Sequence, residues 1–275
     1  MKAYKKELEV CFSLVPYLHR TLLRHYKRGV RGLAYKPNGS EVTATDHALE
    51  RTVTKVLRQH FPKDQINGEE FGVTGGNSKR VWVIDPLDGT AQFVAGTGNF
   101  CSMIGLVENG QPVLGFIHLP NSNETYYATR GGGAYMRKRG VTRKLALRQV
   151  PDIEVARFSG PSDWNKATIL RQKVAKAIGL PQSHYRAIGS IGVEHCMVAS
   201  HQLDVVLTTH PQLGPWDVVP CEVIITEAGG TVTDLSGKVV RPNGTARVYN
   251  RGILSTSTIV HKQILKRLRK AGYKQ

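Results

Sequence analysis

From Val81 onward the chain breaks into short apolar runs, "VWVID", "CSMIGLVENG", "QPVLGFIHLP" and "TYYATRGGGAYM", separated by glycine, proline or Asn-Gly. No other feature limits the fold as strongly. Runs this short, and this rich in β-branched and aromatic residues, read as strands. The "ENGQP" between two of them predicts a hairpin, because Asn-Gly tolerates the positive φ angles that a tight turn requires. An antiparallel sheet therefore occupies the middle of the chain.

Helices flank it. Residues 3 to about 29 carry Leu8, Cys11, Val15, Leu18 and Leu22 at three- and four-residue steps, which predicts a long amphipathic helix with a kink or break at Pro16. "SEVTATDHALERTVTKVLRQHF" predicts a second helix, with Thr45 or Asp46 near its start. After "ALRQVPDIEV" the texture alternates. "EVARFSG", "HYRAIGS" and "LDVVLTT" read as strands between the helices "NKATILRQKVAKAIG", "IGVEHCMVASH" and "VVPCEVIITEAGG", an α/β pattern. No repeat or low-complexity linker divides the 275 residues. We expect an N-terminal α+β subdomain over 1–147 and a C-terminal α/β subdomain over 148–275, packed intimately.

"MKAYKKE" begins like the basic region of a signal peptide, but Glu7 and Glu9 interrupt any apolar stretch, and no window suits a membrane span. The expected location is cytoplasmic, with no membrane partner. Cys11, Cys101, Cys196 and Cys221 stand apart and read as reduced, buried thiols. The formal charge of +17 points to anionic partners. Basic runs such as "RKRGVTRK" and "KQILKRLRKAGYK" lack the interleaved aromatics of single-strand binders, so RNA is the alternative partner, not the first.

The chemistry concentrates in "VWVIDPLDGTAQF". Asp85 and Asp88 stand where a strand leaves the core, and Pro86 between them has no amide hydrogen for a ladder. Carboxylates so placed converge and repel; a divalent cation relieves the repulsion, and oxygen-only donors select a hard ion such as Mg²⁺. Glu69 and Glu70 in "NGEEF", with Asp217 in "PWDVVPCE", extend the acidic set. A haloacid-dehalogenase-type phosphatase would need a nucleophilic aspartate where Pro86 stands, and "RGGGAYM" lacks the Lys-Ser/Thr ending of a P-loop.

Taken in order, "KPNGSEVTATD", "GEE", "WVIDPLDGT-x-x-F", "WD" and "EAGG" resemble the lithium-sensitive, metal-dependent phosphomonoesterases of the inositol monophosphatase superfamily. The resemblance spans about residues 30 to 260. It implies an α/β (α+β) fold, a layered α-β-α-β-α sandwich of the kind shared with fructose-1,6-bisphosphatase, which often forms homodimers. It also implies Glu69, Asp85, Asp88, Asp217 and the Leu87 carbonyl as ligands to two or three Mg²⁺ per active site. Gly89 and Thr90 would open a helix that holds the phosphate. Thr90 would orient the attacking water, with Asp46 or Glu70 relaying its proton, and Lys36 belongs to the matching N-terminal element as a substrate contact.

For the substrate, "GTGNFCSMIG" and "YNRGIL" resemble the branch that removes the 3′-phosphate of 3′-phosphoadenosine 5′-phosphate, which suits a basic chain. Inositol 1-phosphate and histidinol phosphate are the alternatives, and an RNA-binding or transcription-associated protein on the same fold is the alternative of another class. Inositol phosphatases place a glutamate seven residues before the late aspartate; here His210 stands there. His210, Arg186 and Arg247 are candidates for a second phosphate or a base. Gly189 and Ser190, at a strand-to-helix turn, are better placed, because such a turn offers amides to an anion. Trp216, Cys221 and Met197 read as core.

Overall fold

A computed structural model describes residues 4–29, 32–36, 39–160, 169–209, 213–240, 244 and 252–272. After a small ladder of β1 (Ala34–Tyr35) and β2 (Glu41–Val42), the strand-like runs build one large sheet. Its strands are β3 (Gln65–Gly68), β4 (Gly72–Gly75), β5 (Arg80–Asp88), β6 (Cys101–Glu108), β7 (Gln111–Leu119), β8 (Glu124–Thr129), β9 (Gly133–Lys138) and β10 (Val141–Lys144). The spatial order is β10-β9-β8-β7-β6-β5-β3-β4, antiparallel except for β3 beside β5. The expected hairpin joins β6 to β7, with Asn109 and Gly110 both at positive φ (51° and 72°).

Helices α1 (Lys5–Arg28) and α2 (Ala44–His60) cover one face of this sheet. α1 runs through Pro16 as one helix, without the break that was one of the two outcomes expected there. A proline costs one backbone bond within the helix, and the fully buried Leu14, Leu18 and Leu22 on either side hold the segment against the sheet. α2 is capped by Thr43 rather than Thr45 or Asp46. The Thr43 hydroxyl accepts from the Thr45 amide, and Asp46 Oδ2 accepts from the Thr43 amide at 2.8 Å, closing a capping box.

α5 (Ile191–Ala199) and α6 (Pro215–Glu227) are apolar on nearly every side, the pattern of helices buried all round. They lie between the large sheet and a second one of five strands: β12 (Tyr185–Ala187), β11 (Phe158–Gly160), β13 (Val205–Thr208), β15 (Ile253–Thr256) and β14 (Thr231–Thr233). β11 pairs parallel with β12 and β13, whereas β15 is antiparallel to both its neighbours, so the second sheet is mixed. α4 (Ile169–Ile178) and α7 (Thr258–Lys270) pack beyond it. The layers thus run α-β-α-β-α. All four cysteines are buried and free, and among the described residues no helix is long and apolar enough to cross a membrane.

Candidate active site

The site grows from the end of β5. Pro86 cannot donate to β6, and the register shifts between Asp85 and Asp88. The bulge turns both aspartates towards the gap between the large sheet and α6. Asp85 Oδ1 accepts from the Leu87 amide at 2.9 Å, and Ser102 Oγ ties the Pro86 carbonyl at 2.6 Å. Asp217 arrives from the first turn of α6, where its Oδ2 accepts from the Gly214 amide at 2.6 Å. Asp85, Asp88 and Asp217 each bring a carboxylate oxygen to within 4.8 Å of the others. Burial raises the pKa of all three, and the Glu69 charge adds to it at Asp85 and Asp217.

Asp88 is the most firmly held. Its Oδ2 accepts from Ser190 Oγ at 2.5 Å and from the Gly192 amide at 2.7 Å, and its Oδ1 accepts from the Ile191 amide at 3.3 Å. This adds a partner to the strand-to-helix turn of Gly189 and Ser190. They line the cleft, and Ser190 does cap α5 through the Val193 amide, but the anion at that helix start is the protein's own Asp88. A buried carboxylate requires donors, and the opening amides of α5 are the ones within reach.

Glu69 lines the same cleft but stands outside the 4.8 Å group. Lys36 Nζ lies 2.7 Å from Glu69 Oε1 and 2.7 Å from Glu70 Oε1. Lys36, expected to hold substrate, is therefore committed to two glutamates; against the pull of burial, they keep its ammonium above the usual lysine range. Glu70 faces Lys36 and His47, whose Nε2 is 3.7 Å away, and burial lifts its carboxyl to about 7. Glu70 is absent from the described cleft wall.

Thr90 completes the floor. Gly89, at φ 83°, starts the short helix α3 (Thr90–Val94), and a Cβ on Gly89 would sit 2.7 Å from the Asn99 carbonyl. Thr90 Oγ1 lies 3.2 Å from Asp46 Oδ1 and 2.9 Å from the Leu87 carbonyl oxygen. Asp46 Oδ2 also accepts from Thr43 Oγ1 at 2.5 Å. Of the two expected proton relays, Asp46 is the one that touches Thr90.

Glu50 escaped the sequence reading. Buried on α2, it accepts from the Glu70 amide at 2.9 Å and the Phe71 amide at 3.0 Å, and its carboxylate fills the space that a Cβ on Gly68 would need. The available signal was an acid four residues after Asp46, on the stripe of Leu49, Val53 and Leu57. Trp216, expected in the core, lies on the cleft wall with Ser40, Glu41, Glu194, Thr208 and Leu213, around a cavity of about 630 Å³. Arg186, on the exposed edge strand β12, is absent from the described lining. His210 and Arg247 fall outside the described residues.

The donor set fits a hard divalent cation. It consists of oxygen atoms alone, from three crowded carboxylates, Asp85 and Asp88 buried and Asp217 half-buried, while the cation lining the described cleft, Lys36, is bonded to Glu69 and Glu70.

Comparison with known proteins agrees. A histidinol-phosphatase from Mycobacterium tuberculosis is 34% identical over 238 residues, 85% of this chain and 86% of that protein. The 3′(2′),5′-bisphosphate nucleotidase CysQ from Aggregatibacter actinomycetemcomitans is 32% identical over 218 residues, covering 77% and 78%. The solved structure of a Thermotoga maritima IMPase superposes with a TM-score of 0.80 at 27% identity, covering 97% of this chain and 98% of that one. The sequence profile of the inositol monophosphatase family matches residues 10–273, and the chain belongs to that family.

Proposed function

We propose that the protein is a Mg²⁺-dependent phosphomonoesterase acting on a small phosphate ester. The observation that carries this reading is the convergence of Asp85, Asp88 and Asp217 beside the Thr90–Asp46 pair at the floor of one cleft. Asp85, Asp88 and Asp217, with Glu69 and the Leu87 carbonyl, would hold the metal. When bound, Mg²⁺ supplies Lewis-acid polarisation of the phosphoryl group and makes water acidic enough to attack near neutral pH.

The protein's own residues do the rest. Thr90 Oγ1 can pass its hydrogen to Asp46 Oδ1 while accepting one from a water on its cleft side, which moves the proton away from the attacking oxygen. Thr43 steadies the far oxygen of Asp46. Asp88, fixed by α5, couples the position of that helix to the floor of the cleft. Lys36 offsets the charge of Glu69 and Glu70 at the rim.

The described cleft wall is acidic. Beyond the four carboxylates among the expected ligands it carries Glu41 and Glu194, and Lys36 is its one cation among the described residues. Glu41 Oε2 is buried without a hydrogen-bond partner. Such a wall suits a substrate with a cationic group, and the similarity to a histidinol-phosphatase makes histidinol phosphate our first choice over the bisphosphate that the motif resemblance and the basic net charge suggested. A second reading, 3′-phosphoadenosine 5′-phosphate, is supported by the similarity to CysQ. Phosphate release from histidinol phosphate, 3′-phosphoadenosine 5′-phosphate and inositol 1-phosphate, with Mg²⁺ and with EDTA, separates them by kcat/KM. Release that survives EDTA would refute the metal-dependent reading, and a preference for the bisphosphate would move the assignment to the second.

A further inference from the structure

α2 has a second working face. Opposite its buried stripe, Arg51, Lys55 and Arg58 follow one another at four- and three-residue steps. Like charges so spaced repel and disfavour the helix. Among the described residues none of the three is ion-paired. They line an open hollow of about 570 Å³ together with Phe71, Thr54, Gln59 and Thr74, with no carboxylate among its described lining residues. Its volume is that of a small-molecule site. Phe71 is 42% exposed, and the Arg51 guanidinium lies 5.4 Å from the ring centroid. Unpaired cations beside an open aromatic ring suit a ligand that is anionic at one end and flat at the other.

We propose that this cavity is a second ligand site, separate from the cleft, for a nucleotide carrying two or more phosphates. The heterocycle stacks on Phe71, and the phosphates run along Arg51, Lys55 and Arg58. At 1.5 Å per residue those cations span about 10 Å of helix, long enough for a phosphate chain and longer than a single anion needs.

The site is wired to the cleft by short contacts. Phe71 directly follows Glu69 and Glu70, and Glu50 of the same helix holds the amides of Glu70 and Phe71. The His47 ring lies 5.5 Å from Phe71, and its Nε2 3.7 Å from Glu70 Oε2. A ligand seated on Phe71 therefore steadies the turn that carries Glu69 and Glu70.

The test titrates the full chain with fluorescent N-methylanthraniloyl-ADP, in parallel with tripolyphosphate and a ten-nucleotide RNA, all without Mg²⁺. We expect ADP to bind, at least tenfold more weakly to Lys55→Glu/Arg58→Glu, and within twofold of the parent for Asp85→Asn/Asp217→Asn. The reverse pattern, or no binding of ADP at millimolar concentration, overturns the proposal. So does an RNA that binds where ADP does not, because the ligand is then a strand. Phe71→Ala should weaken ADP severalfold and leave tripolyphosphate unchanged; equal loss for both removes the stacking. Saturating ADP should slow amide exchange over residues 66–75, and unchanged exchange removes the coupling. Circular dichroism confirms that each variant is folded. None of these readouts depends on phosphate release, so they stand or fall separately from the proposed catalytic activity.

Discussion

The two ends of β5 each gather carboxylates and treat them oppositely. At its start, Arg80 donates to Glu7 at 2.7 Å, Asp64 at 3.0 Å and Glu108 at 2.7 Å, while Trp82 and Tyr4 add donors to Asp64 and Glu108. At its finish, Asp85 and Asp88 meet Asp217 with backbone amides, a serine hydroxyl and a cysteine thiol for company, and among the described residues no side-chain cation is a hydrogen-bond donor to them. Three acids around an arginine are a complete structural joint linking α1, β5 and β6. Three acids with no cation bonded to them among the described residues form a site suited to take its charge from outside.

Breaking either end should therefore have a different signature. The largest effect is expected from Asp85→Asn, which should lower kcat by at least about a hundredfold while raising the urea midpoint measured without added metal, because one buried charge is gone. Arg80→Met should do the reverse. It should cost about 2–3 kcal/mol of stability, since it strands three carboxylates, with kcat changed far less than stability; urea unfolding and steady-state kinetics on the same preparations decide.

Mg²⁺ sharpens the contrast. At a hundred times its Kd the ion should stabilise the parent by about 2.7 kcal/mol, and Arg80→Met by as much, whereas Asp217→Asn should lose most of the gain in thermal melts. An equal gain in Asp217→Asn would place the metal elsewhere.

Acid titration gives a smaller, separable effect. Burial pushes His118 and His195 down to about 4. The unfolded chain then binds more protons than the folded one between that value and about 6.5, so stability is full above this window and declines as pH falls through it. Glu108, held below the usual glutamate range by the Tyr4 hydroxyl and Arg80, contributes stability that is present above about 4.3 and lost as pH falls further. Denaturation midpoints against pH should show Arg80→Met altering only the lower limb. The smallest change belongs to the exposed Lys5–Glu9 pair, 3.7 Å apart. Lys5→Ala should shift stability by less than about 0.5 kcal/mol, a benchmark for what an ion pair is worth when water surrounds it.

Much of this was legible in advance wherever the determinant is local. The β6–β7 hairpin follows from Asn109-Gly110, because the φ preference belongs to those two residues alone. The convergence of Asp85 and Asp88 was legible because Pro86 interrupts the ladder whatever surrounds it. Of the kink or break expected at Pro16, the break is absent, because the burial of α1 outweighs the local cost of the proline. Gly189 and Ser190 show both sides at once. The helix start was foreseen, but the group that occupies it comes from Asp88, 102 residues before Ser190.

What the sequence settled by itself was the alternation of elements, the turn chemistry and the kinds of atom available for catalysis, since each depends on dihedral preference or periodicity within a few residues. Only the tertiary structure decided which charges are answered internally. Lys36 turned to Glu69 and Glu70, Arg80 took three acids at one end of a strand, and the aspartates at the other end have no ion pair among the described residues. Charge neutralisation acts over a few ångströms of space, and nothing along the chain states which distant residues will share them.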